Sequence, residues 1–129
     1  MRILLDTHTL LWYAVDDPSL SAVARSHIID PANDVLVSPA SYWEVAIKLS
    51  VGKLTLTKPY EQFMDDAIRG NGFEVLPILV PHTAVVATLP FHHRDPFDRL
   101  LAAQALVEGL PLVSADPVFD AYGVTRLWN

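Results

Sequence analysis

No cysteine occurs in the chain. Its absence excludes disulfides, thiolate zinc sites and cysteine nucleophiles, so any metal must be held by oxygen or imidazole. Positive charge is scarce too: 9 Lys and Arg stand against 15 Asp and Glu, a formal net charge of −6. That balance argues against a generic nucleic-acid coat, which runs on Lys and Arg meeting phosphates, but it leaves room for an enzyme with a local basic rim. Long hydrophobic runs are also missing. Prolines and charges interrupt every apolar stretch before it could cross a bilayer, so no membrane partner is expected. The opening Met1-Arg2-Ile3-Leu4-Leu5 looks like the start of a signal peptide, but Asp6 and His8 cut into it and no small-residue cleavage site follows. The chain is therefore read as cytoplasmic. Glycine-rich phosphate loops and a GxSxG elbow are lacking, which leaves P-loop and α/β-hydrolase chemistry without support.

What is present is an alternation. The 129 residues suit one domain, residues 1–129, with no internal repeat or linker, and 51% of them are hydrophobic, enough to set some apolar surface aside for a partner. Arg2 to Leu5 is a short apolar run. Leu10, Leu11, Ala14 and Val15 then recur at helical spacing until Asp16-Asp17-Pro18. A second helix is expected from about Ser19 to Ile29. Val35-Leu36-Val37 reads as a buried strand, and Ser38-Pro39 as an N-cap with proline at the first helical position of a helix stopping near Gly52. Another helix is expected from Tyr60 to Arg69. Phe73 to Leu79 reads as a third strand in which Pro77 suits an end or an edge. Helical spacing returns over Pro81 to Leu89 and Pro96 to Glu108, and Leu112-Val113 and Val124 to Leu127 close the chain as strands. Apolar strands alternating with helices imply a parallel sheet covered on both faces, a small α/β/α sandwich, and such sheets bind ligands beyond the carboxyl ends of their strands.

Four acids stand at or near that edge. Asp6 follows the first strand, Glu44 lies on the helix after the second, Asp98 begins the helix leading into the fourth, and Asp116 follows the fourth. Each also has a plain structural role open to it. Asp6 and Asp116 can cap helices, Asp95 and Asp98 have the spacing of a capping box with Asp95 as cap, and Glu44 stands four residues before Lys48. Caps have no need to fall repeatedly at one sheet edge, so the four together suggest a shared site. Mg²⁺ and Mn²⁺ take hard oxygen ligands, two such ions can drive an in-line phosphoryl displacement, and a cation relieves the repulsion of crowded carboxylates.

The segments Leu4-Leu5-Asp6-Thr7-His8, Ser41-Tyr42-Trp43-Glu44, Asp95 to Ala105 and Leu112-Val113-Ser114-Ala115-Asp116 together resemble PIN-domain ribonucleases, specifically the VapC-type toxins of toxin-antitoxin pairs. The resemblance spans essentially the whole chain in the right order, and the third segment, Asp95-Pro96-Phe97-Asp98-Arg99-Leu100-Leu101-Ala102-Ala103-Gln104-Ala105, is the most distinctive. It implies an acidic quartet of Asp6, Glu44, Asp98 and Asp116 holding Mg²⁺ or Mn²⁺, and hydrolysis of RNA phosphodiesters to 5′-phosphate and 3′-hydroxyl ends by an activated water. It departs at His8, where the family often has a small hydroxyl residue, so Thr7 and Ser114 are the candidates to support Asp6. Arg94, Arg99, Lys48 and Lys53 are the basic residues nearest the expected site in sequence and are candidates to hold the RNA backbone. The resemblance further implies a cognate antitoxin protein and a homodimer.

His8, His92, His93 and Asp95 outline an alternative zinc set, but adjacent histidines point in different directions and none forms an i, i+4 pair. Trp12, Tyr13 and Trp43 lie off the core stripes of their helices, where they serve either as packing or as an aromatic groove for another chain. Two rival functions are a receiver-like phosphoacceptor and a noncatalytic acidic binding module. The first needs an acidic residue after the third strand, where the chain has Leu79-Val80-Pro81. A Mg²⁺ phosphatase with a second Asp two positions after the first is disfavoured by His8.

Overall fold

A computed structural model describes residues Met1–Asn129. The strands are β1 (Arg2–Leu5), β2 (Asp34–Val37), β3 (Glu74–Val75), β4 (Leu112–Val113) and β5 (Arg126–Leu127). They form one parallel sheet in the order β3-β2-β1-β4-β5. The helices are α1 (Thr7–Ala14), α2 (Ala22–Ile29), α3 (Pro39–Ser50), α4 (Tyr60–Ile68), α5 (Val80–Thr88) and α6 (Pro96–Glu108), with two 3₁₀ turns at Arg69–Asn71 and Pro117–Tyr122. No helix is long and apolar enough to cross a membrane.

The period of the strands divides the core in two, because successive side chains leave opposite faces of the sheet. Ile3 and Leu5 of β1, with Val35 and Val37 of β2, pack beneath α1, α2, α3 and α4 through Leu10, Ile28, Val45 and Phe63. Leu4, Leu36 and Leu112 face the other way, onto Leu101, Ala102, Ala105 and Phe119. After an exposed first residue, Arg2 in β1 and Asp34 in β2, each central strand is apolar and buried, which is the signature expected of a sheet covered on both sides.

The expected elements appear with three main differences, one of them that the last strand is Arg126–Leu127 rather than Val124–Leu127. The third strand shrinks from Phe73–Leu79 to Glu74–Val75. It is an edge strand, its last ladder contact is Leu76 N–H donating to the Val37 carbonyl at 2.9 Å, and Pro77 has no N–H with which to continue. The second helix begins at Ala22 rather than Ser19, because Ser21 takes the cap: its hydroxyl accepts from Ala24 N–H at 3.0 Å. Gly109, at φ +64°, ends α6 in the left-handed conformation and turns the chain into β4.

Strand order sets the site. From β1 the chain winds outward through β2 to β3, then crosses back to place β4 on the other side of β1. The connections leaving β1 and β4 diverge, and the crevice between their carboxyl ends is the switch point at which open α/β sheets bind ligands.

Candidate active site

Asp6 and Asp116 flank that crevice because they follow β1 and β4, while Glu44 reaches it from the first turns of α3 and Asp98 from the first turn of α6. All four line one cavity of about 350 Å³, together with His8, Trp12, Lys48 and Asp95.

The alternative roles can be checked atom by atom. Asp6 occupies the N-cap position of α1, yet its side chain makes no capping bond. Its Oδ2 instead accepts from the Ser114 hydroxyl at 2.6 Å, across 108 residues of sequence. The carboxyl is only 6% exposed, and burial pushes its pKa above the ordinary range against the opposing effect of the Ser114 bond. Glu44 is 4% exposed and does form the helical ion pair, Oε2 to Lys48 Nζ at 2.8 Å. Its other oxygen, Oε1, is buried with no partner at all. A buried carboxylate oxygen left unpaired costs free energy unless something cationic or donating meets it.

Asp116 serves two ends. Its Oδ1 caps the 3₁₀ turn by accepting from Val118 N–H at 2.9 Å, and its own N–H donates to Ser114 Oγ at 3.0 Å. Asp95 is the N-cap of α6, accepting from the N–H groups of Phe97 at 2.9 Å and Asp98 at 3.0 Å. Asp98 does not reach back as a capping box would. Its Oδ2 pairs with His93 Nε2 at 2.8 Å. Burial, then the charges of Asp6 and Asp95, push the Asp98 pKa up to about 7, with Glu44 adding to them and the His93 bond opposing. Carboxylates that raise one another's pKa in a cavity are the arrangement a divalent cation relieves. The four acids are therefore candidates to hold a divalent cation, and oxygens of Asp98 and Asp116 lie within 4.8 Å of each other, near enough to share one.

Of the two candidates to support Asp6, Ser114 acts through its hydroxyl and Thr7 only through its backbone. Ser114 is the hydroxyl that holds Asp6, while Thr7 donates to Ser41 Oγ at 2.8 Å and so ties α1 to α3. Arg126 on β5 steadies Ser114 by donating to its carbonyl at 3.2 Å while gripping Asp120 with two nitrogens. Among the basic residues, Lys48 lines the cavity, Lys53 lies with it in the adjoining groove, and Arg94 is exposed outside the cavity. Arg99 requires a correction as a substrate contact. It is 5% exposed, and its guanidinium donates to the carbonyls of Pro90, Leu89 and Val86 at 2.9, 3.0 and 3.2 Å and to the Tyr122 hydroxyl at 3.3 Å. Those bonds and the Phe91 ring 4.0 Å away commit it to the interior.

The zinc set does not assemble as drawn. His92 is exposed and its ring packs on Tyr122 at 5.1 Å, whereas a ring nitrogen of His93 lies within 4.8 Å of oxygens of both Asp98 and Asp116. Trp12 is half-buried against Trp128 and His8, and Tyr13 against Phe73; Trp43 is 65% exposed with its ring edge-on to Phe97.

The family model for the PIN domain matches residues 3–124. Ribonuclease VapC22 of Mycobacterium tuberculosis is 29% identical over 114 residues, covering 88% of this chain and 86% of that protein. Ribonuclease VapC16 of the same organism is 37% identical over 71 residues, 52% of this chain and 50% of that protein. Among solved structures, the VapBC2 complex of Rickettsia felis bound to a promoter DNA fragment contains a chain that superposes with TM-score 0.73 over the full length of both chains at 17% identity. A chain of VapBC-1 from nontypeable Haemophilus influenzae does so with TM-score 0.67 at 19% identity, over 98% of this chain and 96% of that one. At those identities the likeness is one of fold. A family match over nearly the whole length, on a parallel sheet whose switch point gathers four acids, leaves one assignment: the chain belongs to the PIN-domain family.

Proposed function

We propose that this protein is a Mg²⁺- or Mn²⁺-dependent endoribonuclease acting as the toxin of a toxin-antitoxin pair, cutting RNA to 5′-phosphate and 3′-hydroxyl ends. The observation that carries the reading is the cavity at the sheet's switch point, where four carboxylates converge and one buried Glu44 oxygen has no partner. Relatives named as ribonucleases support the reaction class, and VapBC complexes among the structures of like fold support an antitoxin partner.

A divalent ion held here would activate water and offset the charge that builds on the phosphodiester. The chain's own residues do the rest. Asp6, Glu44, Asp98 and Asp116 supply the negative charge that concentrates cations in the cavity. Ser114 fixes the orientation of Asp6 and, through the Asp116 amide, the spacing between the two strand ends. Lys48 at the cavity wall and Arg94 beyond it are the cations offered to RNA phosphates. The exposed indole of Trp43 and the aromatic surface around Trp12 are where an antitoxin or a second protomer would bury apolar area, and the cytoplasm is where such a pair would act.

Incubation of purified protein with RNA tests the reading. Cleavage should require Mn²⁺ or Mg²⁺, stop with chelator, and leave ends that a 5′-phosphate-dependent exonuclease degrades; metal-independent cleavage or none at all sinks it. Ser114→Ala supplies a finer check. Losing the hydroxyl that orients a ligand carboxylate should weaken Mn²⁺ binding by roughly 10- to 100-fold in calorimetry. Unchanged affinity would mean that Asp6 is held in place by the backbone alone.

A further inference from the structure

The segment between α5 and α6 delivers one imidazole to the carboxylates. His93 Nε2 is 2.8 Å from Asp98 Oδ2, and a His93 ring nitrogen, an Asp98 oxygen and an Asp116 oxygen all lie within 4.8 Å of one another. Ligand atoms bonded at ~2.1 Å to one octahedral ion stand about 3.0 Å apart when adjacent and about 4.2 Å when opposite. The three atoms therefore need only a small closure to share a cation. Asp98 and Asp116 both line the cavity in which Glu44 Oε1 is buried without a hydrogen-bond partner, so the imidazole stands at the edge of the same site.

His93 is held in this position from both sides. Its backbone N–H donates to the Tyr122 hydroxyl at 3.0 Å, and Arg99 fixes the carbonyls of Val86, Leu89 and Pro90 just before it. Asp95, two residues on, is locked as the cap of α6. The neighbouring His92 turns onto Tyr122, so the pair divides its work: one ring packs, and the other faces the acids.

We propose that His93 is a nitrogen ligand to the divalent ion of this cavity and that it biases the site toward Mn²⁺ over Mg²⁺, an inference that rests on the metal-dependent reading above. With its proton on Nδ1, the imidazole presents the Nε2 lone pair to the space between Asp98 and Asp116. Both ions take oxygen ligands, but Mg²⁺ demands near-ideal octahedral geometry and dehydrates reluctantly, so exchanging a water for a nitrogen ligand disfavours it more than the transition ion Mn²⁺. A set made only of carboxylates and water would hold the two ions far more evenly.

The test uses the metal-free full chain and Mn²⁺ alone. Free-ion electron paramagnetic resonance gives Mn²⁺ affinity, competition gives Mg²⁺ affinity, and electron spin echo modulation reports nitrogen bonded to Mn²⁺. Wild type and His92→Gln should show a directly bound imidazole nitrogen; His93→Gln and His93→Asn should lose it. The His93 variants should also bind Mn²⁺ roughly tenfold or more weakly, with Mg²⁺ affinity changed by much less. Mn²⁺ bound to wild type without a nitrogen coupling, or a coupling that survives in both His93 variants, overturns the proposal and leaves the metal site standing. Failure of wild type to bind Mn²⁺ overturns both.

Discussion

Arg99→Ala should unfold this domain at a temperature roughly 10 °C or more below wild type, a loss of ~3 to 4 kcal/mol. The guanidinium is buried and donates to three backbone carbonyls and a tyrosine hydroxyl, so its removal takes a donor from four acceptors at once, those of Leu89 and Tyr122 in buried surroundings. It also empties the space over the Phe91 ring. Arg99→Lys should recover little of this, because a single ammonium cannot span carbonyls that the planar fork meets in different directions. The damage should centre on the segment from Val86 to His93, visible as faster amide exchange there, and from it reach the bond between His93 and Asp98. A variant that melts like wild type but binds RNA more weakly would restore Arg99 as a substrate contact.

That residue also shows where linear reading fails. Arg99 was placed near RNA because it adjoins Asp98 in sequence, but consecutive helical residues point about 100° apart. Arg99, Ala102 and Ala103 are spaced i, i+3, i+4, and all three are buried. On the helical period Arg99 therefore shares the inner side of α6 with the two alanines. The strands were legible because their apolar runs are short and bounded, and the crevice followed from winding order and strand ends. The third strand was overdrawn because Ile78 and Leu79 continue the apolar pattern past Pro77, and only pairing shows that they find no partner strand. Ser41, Arg126 and His93 are a different matter, and Ser114 is suggested as a support for Asp6 only by the family resemblance. Each acts on a residue from another part of the fold or across a helix start, and no local spacing announces a hydrogen bond between Ser114 and Asp6. Acids at strand ends carry their own signal; the groups that orient them do so only after folding.

Asp98→Asn should reduce metal-dependent RNA cleavage on the order of 10³-fold while making the metal-free fold more stable at neutral pH. The carboxyl has its pKa pushed from 3.8 to about 7 by burial and by Asp6 and Asp95. The folded chain therefore holds a proton that the unfolded chain releases between about pH 4 and pH 7, and stability contributed at this position is lost as pH rises through that window. Above it, the ionised carboxylate stands among like charges. Asparagine cannot ionise, so the variant should lack this slope and exceed wild type at pH 7.5 by on the order of 1 to 3 kcal/mol in chelator. Saturating Mn²⁺ should reverse the order, since only the wild-type carboxylate gains from the ion. If Asp98 merely placed a negative charge at the start of α6, the variant would instead lose ~0.3 to 1 kcal/mol and keep its activity. Melts across pH 4 to 8 with and without Mn²⁺, alongside cleavage assays on the same preparation, separate the two accounts by sign. Wild-type cleavage by the asparagine variant would remove Asp98 from the ligand set, and with it the carboxylate that links His93 to the cavity.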